Sequence, residues 1–306
     1  MAACVSRRDF VRTGLAAAGA LAAGAAALPR RSARAADAEA APADAPAEAA
    51  PRMHLGLVTY LVGAKMDLDT LIDVCEKSGM EGVELRSTHA HGVEPSLDAA
   101  GRAKVKERFA RTKVRCYALG SACEYHSPKP EEVRKNIDLT KKFLELAADL
   151  GCWGVKVRPN GLPKGVDEDA TLRQIAAAVR ECAEFAAPRG LTVMVECHGG
   201  ETQRPDRMAK IMEYCDHPAA ALCWNCNGID VQNGSIATYF KMCEPWIRHV
   251  HIHTLTEGGY PWKELFGLLK AARFGHYTMI ETERKGDDDP VAFLRAQRAA
   301  WEQLTA

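Results

Sequence analysis

The chain has 306 residues and formal net charge zero, with 40 basic and 40 acidic side chains. The balance hides an asymmetry: residues 1–35 carry six arginines and one acid, Asp9, which leaves 34 basic and 39 acidic residues in the remainder. A mildly acidic body has no electrostatic footprint for nucleic acid, so a nucleic-acid partner is not expected.

The N-terminal stretch stands apart from the fold. Ser6-Arg7-Arg8-Asp9-Phe10-Val11 precedes a run of small and apolar residues from Gly14 to Leu28. Paired arginines ahead of such a run read as a twin-arginine export signal, with cleavage expected after Ala35 in Ala33-Arg34-Ala35. The run is too short and too rich in Ala and Gly for a stable membrane span, which needs about 20 strongly apolar residues. The twin-arginine export machinery is therefore an expected partner, and the expected location is the periplasm or otherwise outside the cell membrane. Residues 36–52 are Ala, Pro and acid without periodicity. They cannot bury enough apolar surface to offset their ordering entropy, and read as a linker. The fold is expected over 53–306, about 250 residues, the usual size of one α/β barrel.

Of the eleven cysteines, Cys4 lies in the leader and ten remain. Cys116, Cys152, Cys182 and Cys223 sit in apolar runs, where Cys behaves as a small hydrophobe. Cys223-x-x-Cys226 has the spacing of a redox or zinc pair, but no second pair of that spacing supports it, and packing is the expected role.

From Met53 onward, short apolar runs alternate with segments of helical period. The runs are His54–Thr59, Gly82–Leu85, Val114–Leu119, Gly154–Val157, Leu191–Val195, Ala220–Trp224, His249–Ile252 and Tyr277–Ile280. They recur about every 30 residues, the length of one βα unit, and continuous apolar runs suit parallel strands buried on both faces. Between them, Glu131–Leu150 places Val133, Ile137, Phe143, Leu144 and Ala147 near one face before Gly151. Ala170–Ala187 repeats the pattern through Leu172, Ile175, Val179 and Cys182. Asp67–Ser78 ends at Gly79, and Pro261 marks a further helix start. Eight strand–helix units predict a single-domain (β/α)8 barrel. The alternative, a doubly wound sheet, lacks a Gly-x-Gly-x-x-Gly after the first strand.

Barrel chemistry gathers at the C-terminal ends of the strands. Here those ends are polar: Glu84 and Arg86, Lys156 and Arg158, Glu196 and His198, Asn225, His251 and His253, Glu281 and Glu283. Side chains alternate along a strand, so Glu196 and His198 share a face, as do His249, His251 and His253. Carboxylates at the ends of apolar strands need partners. Their convergence on one mouth points to a cation or a polar ligand.

Four motifs carry a resemblance. Val-Met-Val-Glu196-Cys-His198-Gly-Gly, Leu-Cys-Trp-Asn225, His249-Val-His251-Ile-His253 and Met-Ile-Glu281 resemble, in order and spacing, the fifth- to eighth-strand motifs of the xylose isomerase-like barrels. The resemblance covers Met53 to about residue 300. It implies one divalent metal (Mn, Co, Mg or Zn) on Glu196, Asn225, His251 and Glu281, with Glu196 and Glu281 as the catalytic acid/base pair. Removing a proton beside a carbonyl is the shared step of sugar isomerisation and epimerisation, and a metal polarises that carbonyl. His198, Lys156, Arg86 and His253 are the expected substrate-binding groups, and Trp224 the expected sugar-stacking wall. Asn225 departs from the family's Asp and lowers the ligand charge from three to two; Asn227 and Asp230 are the nearby candidates to compensate.

The expected activity is a metal-dependent isomerase or epimerase of free sugars or keto-sugars, since phosphorylated sugars are cytoplasmic. Alternatives are a lyase on the same barrel, acting on a cyclitol or 3-keto-glycoside, and a non-catalytic sugar-binding barrel of the envelope. An endonuclease IV-like site would need a His where the chain has Gly228. The histidine-rich loop Ser87–Glu94 could cover substrate or add a second metal, Glu124 and His126 stand in a similar position after the third strand, and a homo-oligomer is compatible with all of these readings.

Overall fold

A computed structural model of the chain describes residues 51–283 and 289–306. The expected export signal, and the expected linker up to residue 50, lie outside the described residues. Pro51 and Arg52, which the sequence reading placed in the linker, already touch the barrel. Arg52 pairs with Glu81 at 2.9 Å, and a Cβ added to Gly275 would lie 2.6 Å from Pro51 Cβ.

Eight parallel strands close into one barrel in sequence order. They are β1 (His54–Val58), β2 (Gly82–Arg86), β3 (Arg115–Glu124), β4 (Gly154–Arg158), β5 (Thr192–Glu196), β6 (Ala220–Trp224), β7 (Ile247–Ile252) and β8 (Tyr277–Ile280). The intervening helices are α1 (Leu68–Ser78), α2 (Ala99–Ala110), α3 (Pro130–Leu150), α4 (Glu168–Ala186), α5 (Pro205–Cys215), α6 (Ala237–Cys243) and α7 (Trp262–Ala271), and α8 (Pro290–Thr305) follows β8. Local chemistry sets their ends. Asp67, Asp98 and Asp167 cap α1, α2 and α4 by accepting backbone N–H groups, and Gly79 and Gly151 take left-handed conformations after α1 and α3.

Each strand separates two apolar environments. Leu55 and Leu57, Val83 and Leu85, Val155 and Val157, Val193 and Val195, and Val250 and Ile252 belong to the large core shared with the helices. The alternate residues Val58, Tyr117, Met194, Ala221, Cys223, Tyr277 and Met279 form a second, smaller cluster inside the barrel. That parity is the period-two alternation of a strand. Glycines on the inner face make room for the large ones: a Cβ at Gly56 would lie 2.3 Å from Met279 Sδ.

At the N-terminal end of the lumen the packing is aromatic. Tyr117 lies 4.2 Å from Tyr277 and 5.4 Å from Trp153 between ring centres, and Trp153 is 5.0 Å from His276. These rings floor the barrel.

β3 is longer than its apolar run suggests. Its last five residues continue alongside β4 to the pair Glu124–Arg158 across an irregularity in register. Ser121 secures the extension by donating its hydroxyl to the Lys156 carbonyl at 2.7 Å. No helix among the described residues is long and apolar enough to cross a membrane.

All ten cysteines of the described residues are free thiols and buried. Cys223 faces the lumen and Cys226 the outer core, so the Cys-x-x-Cys pair is divided between the two. Burial pushes the Cys75 thiol up to about 12 and the Cys223 thiol to about 11. Thiolate chemistry is suppressed at these positions, and burial keeps reagents from all ten. In the native barrel a thiol reagent such as Ellman's should react slowly or not at all near pH 8, and all ten should titrate once the chain is unfolded in denaturant.

Candidate active site

The inner face that is apolar lower down becomes polar at the mouth. Glu84 of β2, Lys156 of β4, Glu196 of β5, and His249 and His251 of β7 are all buried, and Glu281 follows the last residue of β8. Three carboxylates in an apolar tube require cations, and two arrangements supply them. Lys156 Nζ lies 2.6 Å from Glu196 Oε2. Glu84 Oε2 lies 2.8 Å from His249 Nε2 and 3.1 Å from His251 Nε2. The other ring nitrogen of His251, Nδ1, is 3.2 Å from Glu281 Oε2 and 3.5 Å from Glu196 Oε1.

His251 is thus the hub. Burial opposes its charge, but the carboxylates Glu281 and Glu84 around it outweigh that and hold its pKa well above the usual range. Burial likewise opposes ionisation of Glu196, and Lys156 and His251 overcome it, keeping that carboxyl well below the ordinary value. Glu84 is held low against the same burial by His251 and His249.

Donor atoms of Glu196, His251 and Glu281 all lie within 4.8 Å of one another. Glu84 fixes the far nitrogen of His251, the carboxylate–histidine arrangement that orients a metal ligand. Asn225 is buried, and its Oδ1 has no hydrogen-bond partner. An orphaned amide oxygen at the end of β6, the strand that pairs with the strands of Glu196 and His251, fits a hard cation, so these four residues are suited to hold one. Cys223, His249 and His251 form a second group of the same spacing. Its histidines are engaged by Glu84 and its thiol is held neutral by burial.

The other expected site residues divide. His198 reaches the mouth, its Nδ1 2.7 Å from Asn160 Oδ1. Asn160 has φ 66°, and a Cβ at Gly199 would lie 2.4 Å from its Cα, so glycine is required for this approach. His253 is half-buried near Glu281, which acts on its charge. Arg86 is turned into its own loop, donating to the Ser87 hydroxyl at 2.7 Å. Trp224 corrects the expectation of a stacking wall. It is fully buried in the outer core against Phe240 of α6, with its indole N–H on the Tyr260 hydroxyl, because it points opposite to its neighbours Cys223 and Asn225.

Nor do the proposed substitutes for the missing acid join the group. Asn227 spends its side-chain N–H on the Cys197 carbonyl, and Asp230 accepts from the Tyr260 hydroxyl at 3.0 Å. The loop histidines are structural: His91 bridges the Arg86 carbonyl and the Val93 N–H, and His89 meets the Thr59 hydroxyl. Neither is in a metal-spaced group among the described residues. Glu84 stood out in the sequence as an acid within an apolar run, but its role depends on a contact 165 residues away.

Two predictions follow from this packing. A Cβ at Gly120 would lie 2.5 Å from Glu84 Oε1. Gly120→Ala should therefore displace the carboxylate and cost about 1–3 kcal/mol in denaturant unfolding. Burial raises the Asp230 carboxyl from 3.8 to about 7. The native state then keeps a proton that the unfolded chain releases between those values, so stability drains as pH rises through that window. Asp230→Asn should stabilise the protein at pH 8, by at most roughly 4 kcal/mol, and progressively less toward pH 5; equal gains at both pH values in thermal unfolding would contradict a raised carboxyl.

Comparison with known proteins places this geometry. Among solved structures, a 3-keto-D-glucoside 4-epimerase from E. coli superposes with a TM-score of 0.70 at 15% identity, covering 82% of this chain and 100% of that one. The IolI protein with a bound zinc atom gives 0.70 at 14% identity, covering 83% and 98%. A D-psicose 3-epimerase solved with D-fructose gives 0.70 at 13%, covering 83% and 99%. At such identities the likeness establishes the fold. A search of curated protein sequences finds no match. The xylose isomerase-like TIM barrel family model matches residues 72–303, well over half of the chain. The chain therefore belongs to the xylose isomerase-like TIM barrel family.

Proposed function

We propose that the protein is a divalent-metal-dependent sugar epimerase or isomerase that abstracts a proton next to a carbonyl. The observation that carries this is the convergence of Glu196, His251 and Glu281 within 4.8 Å, with the unpaired Oδ1 of Asn225 at the end of the intervening strand β6. Sugar epimerases among the structures of the same fold support the substrate class. The paired arginines and the Ala33-Arg34-Ala35 site support export by the twin-arginine route, and with it a free sugar or keto-sugar over a phosphorylated one.

Glu196, Asn225, His251 and Glu281 would hold the metal. When bound, it would polarise the substrate carbonyl and stabilise the enediolate left by proton loss. The chain's own groups do the rest. Glu196 and Glu281 meet at His251 from β5 and from the end of β8, and act as the proton-transfer pair. Glu196 is a weak base while Lys156 holds it at 2.6 Å. A substrate oxygen that draws the Lys156 ammonium away restores its basicity, which couples proton abstraction to binding. His198, steadied by Asn160, and His253 donate to substrate hydroxyls.

Elemental analysis of the purified protein should find about one Mn, Co, Mg or Zn per chain. Glu196→Gln and Glu281→Gln should each abolish solvent-deuterium exchange into free ketoses and keto-glycosides, by at least ~100-fold. Asn225→Asp restores a charge and should tighten metal binding on the order of tenfold or more. A folded, metal-free wild type with no exchange would sink the reading and leave a sugar-binding barrel.

A further inference from the structure

The inner face of β4 carries two cations in succession, Lys156 at the level of Glu196 and Arg158 one step nearer the mouth. Arg158 does not reach the carboxylate cluster. Its Nη2 lies 2.5 Å from Glu124 Oε1 at the end of β3, and Glu124 Oε2 is 4.0 Å from His126 Nδ1. Glu124 and His126 line a cavity of about 520 Å³ together with Asn136, Asn160, Leu162 and Pro163, and Arg158 stands behind Glu124. The volume is typical of a small-molecule site. Asn160 joins the cavity to the mouth through its contact with His198.

The chemistry of the wall selects the ligand. Arg158 is already neutralised by Glu124, and Lys129 by Glu132 at 2.9 Å, so no excess positive charge awaits a phosphate or carboxylate. His126 Nδ1, on a residue of that lining, nevertheless has no hydrogen-bond partner. An unpaired ring nitrogen beside a paired carboxylate and the amides of Asn136 and Asn160 suits hydroxyl groups, which both donate and accept. Leu162 and Pro163 offer an apolar surface for the C–H face of a ring.

We infer that this cavity binds a second, uncharged sugar ring, so that the substrate is a disaccharide or a glycoside whose keto ring lies over Glu196 and Glu281. The inference rests on the epimerase reading and extends it to substrate size. It is tested on the full-length, metal-loaded protein by titrating cellobiose, glucose and inorganic phosphate in calorimetry, with His126→Ala and Leu162→Trp. Cellobiose should bind at least tenfold tighter than glucose, and this ratio should fall to within about twofold in both variants. One variant removes a hydrogen-bonding group and the other fills space, so loss of fold in either leaves the other decisive. Equal affinities in the wild type, a preference unchanged in the variants, or tighter cavity-dependent binding of phosphate would overturn the inference. Deuterium exchange into keto-monosaccharides separates the two levels. Exchange without a disaccharide preference removes the second subsite and keeps the epimerase. A disaccharide preference without exchange into any keto-sugar keeps the cavity and removes the chemistry.

Discussion

The structure turns on the burial of Glu84 and Glu196 inside an apolar tube. An isolated carboxylate there would cost far more than a domain's net stability, and would take up a proton instead. Lys156 answers one, and His249 with His251 answers the other. Because His251 touches Glu84, Glu196 and Glu281 together, the mouth behaves as one coupled unit in which no member can be removed without stranding another. The same coupling gives Glu84 a part in the site without contact with substrate, since it decides which nitrogen of His251 is turned toward the other two acids.

Holding that unit demands a rigid frame. The outer faces of the strands supply it through Leu, Val and Ile packed on the helices, while the inner faces carry small residues, methionines, the aromatic floor and polar groups. Gly120 shows how closely the two tasks meet, because the space beside its Cα is occupied by the Glu84 carboxylate.

Much of this was legible in the sequence because parallel strands buried on both faces leave unbroken apolar runs. Seven of the eight strands lie within two residues of those runs at each end. β3 is the exception, since Gly120-Ser121-Ala122 carries no apolar signal and its pairing comes from the hydroxyl of Ser121 on the neighbouring strand. Of the polar residues at strand ends, Glu84, Glu196, His251 and Glu281 meet in one cluster, while Arg86 turns into its own loop. Trp224 was misplaced for a reason the alternation rule itself supplies: a residue next to an inward-facing one points outward. Contacts such as Glu84 with His249, or Asn160 with His198, join distant segments and have no local pattern to reveal them.

The aromatic floor of Tyr117, Tyr277 and Trp153 makes the lumen a blind pit. It has a single opening, so whatever enters must leave the way it came, last in and first out. A two-ring ligand could enter only with its reacting ring foremost, leaving its distal ring in the cavity beside the mouth.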